Sequence, residues 1–125
     1  MKVVDTTVAV DHLRGLAPAT RLLTELVTAG ETLAASEITR FELLAGVRQA
    51  ELDALETFFS ALAWVPIDEE ISRTAGALAQ GLRRSHRGID DADYLIAATA
   101  LVLEADLLTT NVRHFPMFKG LRAPY

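Results

Sequence analysis

Three acidic residues lie inside apolar segments of this chain, where an ionised carboxylate is least expected. Asp5 follows a pair of valines, Glu42 is flanked by phenylalanine and leucine, and Asp93 begins a long apolar run. A carboxylate removed from water is strongly destabilising unless a cation or hydrogen bonds compensate its charge. Three such acids, spread over the whole chain, therefore predict a single inward-facing acidic site that holds a divalent metal ion.

The available ligand types indicate which metal this site would bind. The chain has no cysteine, and its histidines, His12, His86 and His114, lack metal-ligand spacing, so each is predicted to be a surface or phosphate-contacting residue. Carboxylate oxygens without thiolate or imidazole partners favour Mg²⁺ or Mn²⁺ over zinc or copper. Such an ion, with some of its waters retained, activates a water molecule and stabilises an in-line phosphoryl displacement.

Each acid also has a structural interpretation that the sequence leaves open. Asp5 is compatible with a cap of the helix that follows it, and Glu42 with an exposed ion pair to Arg40 or Arg48. Asp93 is the hardest of the three to explain structurally, because its helix is almost entirely apolar around it.

Short apolar strands alternate with helical segments along the chain. The predicted strands are Lys2–Asp5, Thr32–Ala35, Trp64–Ile67 and Asp106–Asn111, and the predicted helices are Val8–Arg14, Pro18–Gly30, Ser36–Val47, Glu51–Ala61, Asp68–Gly88 and Ile89–Ala105. This alternation is typical of βαβ units and of a parallel sheet covered on both faces. The sequence predicts an α/β fold: one three-layer domain over residues 1–125, with a short central parallel sheet flanked by helices.

The predicted topology gathers the polar residues at one edge of the sheet. Ligands of open parallel sheets bind beyond the carboxyl ends of the strands. Asp5 ends the first strand, Asn111 follows the last, and Asp93 lies in the first turns of the helix that feeds that strand. We therefore expect these side chains to converge. Asp90 and Asp91, just before, are predicted to be N-cap residues.

The net charge of −5 is unusual for a protein that binds nucleic acid by neutralising phosphates. Basic residues nevertheless gather in two clusters: Arg83, Arg84, His86 and Arg87 in one, and Arg113, His114, Lys119 and Arg122 in the other. Either cluster is a candidate phosphate contact. The first also has a simpler interpretation, as cations that complement a helix C-terminus before Gly88.

Composition excludes several classes of protein. With 125 residues, 50% of them hydrophobic and 23% charged, the chain has an ordinary globular composition. No run approaches the roughly 20 apolar residues of a membrane span, and the N-terminus is not a signal peptide. The lack of cysteine fits a reducing, cytoplasmic location. No glycine-rich phosphate loop and no nucleophilic serine motif is present.

Four segments together resemble a known family. They are Val3-Val4-Asp5-Thr6-Thr7, Glu42-Leu-Leu-Ala-Gly46, Asp93-Tyr-Leu-Ile-Ala-Ala-Thr-Ala100 and Leu108-Thr-Thr-Asn111-Val-Arg-His-Phe115. Their order and spacing, over essentially the whole chain, resemble the PIN-domain family and, within it, the VapC-type toxins of bacterial toxin–antitoxin pairs.

The resemblance implies a Mg²⁺- or Mn²⁺-dependent endoribonuclease that forms a homodimer and is inhibited by a cognate antitoxin. By position, Asp5, Glu42 and Asp93 match the family's three acidic metal ligands. Asn111 matches a fourth polar position that is an aspartate in many members.

Four further residues are placed by the same comparison or by the predicted topology. Thr6 matches a hydroxyl residue that supports the first acid and the metal's water. His114 stands where many relatives carry another acid, so both it and Asn111 reduce the negative charge at one end of the site. Arg113 and Arg87 are expected to contact phosphates of the RNA, Arg113 because it lies at the catalytic edge.

Two other functions are compatible with the sequence. One is a binding module that keeps the fold and acts through a protein partner without catalysis, which the missing acids at Asn111 and His114 favour. The other is a hydrolase of small phosphate esters, although no dedicated phosphate-binding loop is present.

Overall fold

The computed structural model describes all residues from Met1 to Tyr125 and contains four strands and six α-helices. In chain order they are β1 (Lys2–Val4), α1 (Thr6–Leu13), α2 (Ala17–Thr28), β2 (Leu33–Ser36), α3 (Glu37–Gly46), α4 (Leu52–Ser60), β3 (Ala63–Val65), α5 (Glu69–Leu82), α6 (Asp91–Val102) and β4 (Asp106–Leu108). Two short 3-10 turns, Gln49–Glu51 and Val112–His114, complete the elements. None of the helices combines the length and the hydrophobicity that crossing a membrane requires.

The four strands form one parallel sheet in the order β3-β2-β1-β4. β1 lies inside the sheet, with Val3 beside Ala34 of β2 and Leu107 of β4. Because all strands run the same way, their carboxyl ends share one edge, and the residues that follow β1, β2 and β4 meet there. The predicted α/β fold with a short parallel sheet is confirmed.

Alternating side chains of the strands create a core on each face of the sheet. Val4 packs with residues of α1 and α4, such as Val8 and Phe59, on one face. Val3 packs with α6 on the other face, where Ile96 is fully buried. α5 covers the outer side of α6 through a third cluster that includes Ile71. Helices therefore cover both faces of the sheet, as the three-layer prediction required.

Several element boundaries differ from the predicted ones for local reasons. β4 ends at Leu108 instead of Asn111, which leaves Thr109 and Asn111 in a loop at the edge of the sheet. α6 begins two residues later than predicted because Asp90 caps it: the Asp90 carboxylate accepts a hydrogen bond from the Asp93 amide. α5 ends at Leu82, and Gly88 adopts a positive φ of 94° in the connection to α6.

Candidate active site

Asp5 lies directly beyond the end of β1, beside the edge strand β4. Its backbone N–H donates to the Leu108 carbonyl at 2.9 Å. Its carboxylate Oδ2 accepts hydrogen bonds from the Thr7 hydroxyl at 2.9 Å and from the Thr109 hydroxyl at 2.6 Å. Asp5 precedes α1, yet its side chain makes no capping hydrogen bond, so the cap interpretation is wrong. The residue is only 2% exposed.

Glu42 reaches the same edge from α3. Its Oε1 accepts a hydrogen bond of 2.7 Å from the Thr6 hydroxyl. The alternative of an ion pair with Arg40 or Arg48 is wrong, because those arginines pair with Glu37 and Glu51. Glu42 therefore has no cationic partner in the chain.

Asp93 lies at the start of α6, and its Oδ2 contacts two other residues, Asp90 and His114. This oxygen accepts a hydrogen bond of 3.2 Å from the Asp90 backbone N–H, while the Asp90 carboxylate accepts one from the Asp93 N–H, so the two residues form a capping box. The same oxygen lies 2.8 Å from Nδ1 of His114. The same ring nitrogen is 2.8 Å from Nδ2 of Asn111. Asp93 thus has a structural role at the helix start, and Asn111 is linked to it through His114.

Threonine hydroxyls donate hydrogen bonds to two of the three acids, Asp5 and Glu42. Thr6 and Thr7 are successive residues of α1, so their side chains point about 100° apart around the helix axis. Thr6 contacts Glu42 and Thr39, and the prediction that Thr6 supports Asp5 is wrong. Thr7 and Thr109 fill that role instead. The Thr109 hydroxyl also accepts a hydrogen bond of 3.0 Å from the backbone N–H of Asn111. This one buried hydroxyl therefore links the Asp5 carboxylate to the loop that contains Asn111.

The sequence did not single out Thr7 and Thr109 as members of the site. The available signal was position: Thr109 directly follows the strand that neighbours β1, and a hydroxyl at that point reaches the carboxylate at the end of β1. Asp90 is the N-cap of α6, as predicted, whereas Asp91 is the first residue of the helix and not its cap.

In each of the three acids, one carboxylate oxygen accepts hydrogen bonds and the other accepts none. The oxygens that accept hydrogen bonds are Oδ2 of Asp5, Oε1 of Glu42 and Oδ2 of Asp93. The other oxygen of each has no hydrogen-bond partner. None of these free oxygens is sealed from solvent, because the Tyr94 hydroxyl is the only fully buried side-chain polar atom without a partner. The arrangement therefore offers three carboxylate oxygens that can each take one further ligand.

Burial and neighbouring negative charges raise the pKa values of two of the acids, Glu42 and Asp93. Burial raises the pKa of Glu42, and the charges of Asp90 and Asp5 add to the effect. Burial raises the pKa of Asp93 to about 6, with a further contribution from the charge of Asp90. The Asp90 amide and His114 oppose this rise in the pKa of Asp93. A bound cation would remove the repulsion among these four carboxylates.

The donor types fit a hard divalent cation, since carboxylate oxygens are the ligands that Mg²⁺ and Mn²⁺ prefer. As the side chains stand, however, no three Asp, Glu or His residues are arranged to hold a metal ion. Coordination by all three acids therefore requires their side chains to rearrange.

The arginines near the site differ in their availability. Arg83 is engaged, because it pairs with Asp91 at 2.6 Å and lies over the Tyr94 ring. Arg87 and Arg113 are exposed and form no ion pair. Arg113 lies between Asn111 and His114 in the Val112–His114 turn, next to the acids, whereas Arg87 lies three residues before Asp90.

An apolar groove adjoins the acids on the α1 and α3 side. It has a volume of about 350 Å³, and Glu42 forms part of its wall together with Val10, Leu13, Leu43, Val47 and Leu55. On the exposed side of α3, two large apolar side chains face solvent: Phe41 is 64% exposed and Leu44 is 42% exposed. Apolar surface of this kind beside a site is typical of a protein-binding surface.

Comparison with known proteins relates the whole chain to one family. Residues 2–119 match the PIN domain. The chain is 66% identical over 125 residues to Ribonuclease VapC19 of Mycobacterium tuberculosis, with 100% of both chains covered. It is 41% identical to Ribonuclease VapC10 of the same organism, covering 100% of this chain and 93% of the relative. A toxin–antitoxin complex from Klebsiella pneumoniae contains a chain of the same fold, with a TM-score of 0.83 at 24% identity over 100% of this chain and 98% of that one.

Proposed function

Because the chain belongs to the PIN-domain family, we propose that it is a metal-dependent endoribonuclease that hydrolyses RNA phosphodiester bonds. Ribonucleases of this family generally depend on a divalent metal ion. The relative named Ribonuclease VapC19 matches the chain from end to end at 66% identity, which supports carrying the activity across. The observation that supports it most in the molecule is the set of free carboxylate oxygens on Asp5, Glu42 and Asp93.

In this proposal the three acids hold a Mg²⁺ or Mn²⁺ ion through their free oxygens. The bound ion supplies the positive charge that activates water and stabilises a phosphoryl displacement. The chain's own residues fix the geometry: Thr7 and Thr109 orient Asp5, Thr6 orients Glu42, and the Asp90 amide orients Asp93. Such preorganisation limits the reorganisation that the reaction requires.

Arg113 is the residue that we propose contacts the RNA most directly. Its guanidinium is exposed and unpaired, and it follows Asn111 in the turn that borders the acids. A guanidinium binds phosphate through two parallel hydrogen bonds. Arg87 is proposed to contact a phosphate farther from the cleaved bond, and Thr6 to contribute its hydroxyl at the site. Asn111 is proposed to orient the ion or a water molecule.

We further propose that the protein is the toxin of a type II toxin–antitoxin pair and that it forms a homodimer. The groove between α1 and α3 supports an antitoxin contact, because an amphipathic segment can bury its apolar face there beside Glu42. A basic side chain of that segment would reach the carboxylates and take the place of the metal's charge. Co-purification with the product of the neighbouring reading frame would test the partner, and light scattering the dimer.

The decisive test of the activity is cleavage of an RNA panel by the purified protein, with Mg²⁺, with Mn²⁺ and with EDTA. We expect cleavage only with a divalent ion, and loss of cleavage in Asp5→Asn, Glu42→Gln and Asp93→Asn. Asp91→Asn is a matched control, because Asp91 lies in the same helical turn as Asp93 but pairs with Arg83 at the surface. Cleavage in EDTA would contradict the proposal. A folded, metal-binding protein without activity would favour the binding-module alternative.

A further inference from the structure

The basic side chains that lack an acidic partner are concentrated in two segments near the acids. Five of the 12 Lys and Arg residues form an ion pair with a carboxylate: Lys2, Arg40, Arg48, Arg73 and Arg83. Of those that form none, Arg14 is the C-cap of α1 and Arg21 lies on α2. The others lie between α5 and α6 or after β4, and they are Arg84, Arg87, Arg113, Lys119 and Arg122.

The connection from α5 to α6, residues Arg83–Asp90, has a defined shape, and we call it the basic loop. The Arg83 guanidinium donates a hydrogen bond of 2.6 Å to the Asp91 carboxylate, which joins the start of the loop to the residue that follows it. The His86 backbone N–H donates to the Leu82 carbonyl at 2.8 Å and closes the first turn of the loop. A segment that is already held in one conformation loses little freedom when it binds a ligand.

Two arginines of the basic loop, Arg84 and Arg87, make no contact that explains their presence. The Leu82 carbonyl at the end of α5 accepts the backbone N–H groups of Ser85 and His86, so these arginines are not needed to satisfy it. Both arginines are exposed, and neither forms an ion pair. The run from Arg83 to Ile89 contains no acid that could pair with them. Their charges are therefore free to bind an anion from outside the chain.

The basic loop lies directly beside the acids of the site. Its last residue, Asp90, forms the capping box with Asp93. Arg87 is three residues before Asp90, and three residues span at most about 11 Å, so the α-carbons of these two residues lie no farther apart than that. An RNA strand that places one phosphodiester at the acids therefore brings a neighbouring phosphate within reach of the loop.

We propose that the basic loop, through Arg84 and Arg87, binds phosphates of the RNA strand that neighbour the cleaved bond. This inference rests on the proposed nuclease function and extends it to the class of substrate. The net charge of −5 repels RNA as a whole, so a local group of free cations must supply the attraction. A small phosphate ester has no neighbouring phosphate. The loop therefore favours a polynucleotide over such an ester.

Binding of a fluorescein-labelled single-stranded RNA of about 20 nucleotides, measured by anisotropy in EDTA, tests the loop without relying on cleavage. Arg84→Ala/Arg87→Ala should weaken binding by about tenfold and reduce the slope of log affinity against log salt by about 1.4, since each phosphate contact contributes about 0.7. Arg84→Lys/Arg87→Lys should restore most of the affinity. Arg14→Ala/Arg21→Ala is the matched control, because it removes two exposed, unpaired cations elsewhere and should leave binding nearly unchanged.

Two further measurements separate substrate binding from a structural role. With Mn²⁺, the alanine pair should raise KM for the same RNA and leave kcat nearly unchanged, because the lost contacts act equally in the ground state and the transition state. Hydrolysis of bis(p-nitrophenyl) phosphate, which has a single phosphate, should not differ between the wild type and this variant. The Tm in EDTA should stay the same or rise, since two neighbouring like charges are removed.

The outcomes distinguish this inference from the proposed function. If the protein cuts RNA but the alanine pair binds it as tightly as the wild type, or the control pair weakens binding equally, the role of the loop is overturned and the nuclease proposal stands. A marked fall in the Tm of the alanine pair shows that these arginines serve the fold and also overturns the inference. RNA binding that depends on the loop, in a protein that cuts no RNA with Mg²⁺ or Mn²⁺, supports the RNA surface and overturns the nuclease proposal.

Discussion

Asp93→Asn should make the metal-free protein more stable at pH 8, even though it removes a residue central to the proposed activity. The pKa of Asp93 rises from its ordinary 3.8 to about 6 because the folded protein buries the carboxylate. At about 1.4 kcal/mol for each pH unit, holding this group ionised opposes folding by at most about 3 kcal/mol. Asparagine has the same shape, keeps an acceptor for the Asp90 amide and carries no charge.

The realised gain should be smaller than this limit. One oxygen of Asp93 reaches solvent, and the charge of Asp90 contributes to the rise in its pKa. We therefore expect a stabilisation of about 1–2 kcal/mol at pH 8 in EDTA, or about 4–8 °C in Tm for a chain of this size.

The sign of the pH dependence follows from the raised pKa. In the wild type, the folded state takes up a proton at Asp93 near pH 6, whereas the unfolded state does so near pH 4. The wild type is therefore stabilised as the pH falls from 8 to 5, and it loses that stability as the pH rises through 6. The asparagine variant lacks this dependence, so its advantage should shrink by about half at pH 5.

Urea unfolding of both proteins in EDTA, at pH 8 and at pH 5, measures the effect. Asp91→Asn is the control, since Asp91 is an exposed acid in the same turn whose ion pair contributes little to stability, and its effect should be a loss within about 1 kcal/mol. An Asp93→Asn protein that is less stable than the wild type at pH 8 would show that the capping box and His114 contacts outweigh the burial of the charge. A stability difference that does not change with pH would refute the electrostatic cause.

Three other changes probe separate parts of the site. Millimolar Mn²⁺ should raise the Tm of the wild type and leave that of Asp93→Asn nearly unchanged, because an ion bound only by the folded state stabilises it by mass action; differential scanning fluorimetry checks this. Arg113→Ala should weaken RNA cleavage while the Mn²⁺-induced rise in Tm stays, since it contacts substrate and not the ion; loss of both would assign Arg113 to the metal site. Thr109→Val should cost about 1–3 kcal/mol in urea unfolding and reduce cleavage, because it removes a buried donor to Asp5; Thr109→Ser should restore both.

Much of the fold was predictable because the strands and helices carry distinct apolar patterns. The Val3-Val4 pair marked the central strand, and the long apolar run after Asp93 marked the helix that covers it. Element ends were less predictable, since they depend on side-chain contacts that are distant in sequence. β4 ends at Leu108, and the next residue, Thr109, donates a hydrogen bond to Asp5, which lies 104 residues earlier in the chain. The periodicity of apolar residues carries no information about such a contact.

The acids were predictable for a different reason, because a charge inside an apolar segment is visible in the sequence itself. The threonines that donate hydrogen bonds to these acids were not predictable, since threonine occurs commonly on surfaces, at helix caps and beside buried carboxylates. The assignment of Thr6 to Asp5 was wrong because two adjacent helical threonines reach different neighbours, and only the packing of α1 against α3 decides which one meets Glu42.

The distribution of donors has a consequence for how the protein exists without its ion. Asp5 is almost fully buried, but two hydroxyls donate to one of its oxygens, which offsets part of the loss of solvation without a cation. Glu42 has one hydroxyl donor and Asp93 has one amide and the His114 ring, and the pKa of each is raised. The uncompensated cost of burying an ionised carboxylate therefore falls mainly on Glu42 and Asp93. A bound cation would reduce this cost most at these two positions. Replacing Glu42 or Asp93 with its neutral amide should therefore lower the affinity for the ion and raise the stability of the metal-free protein.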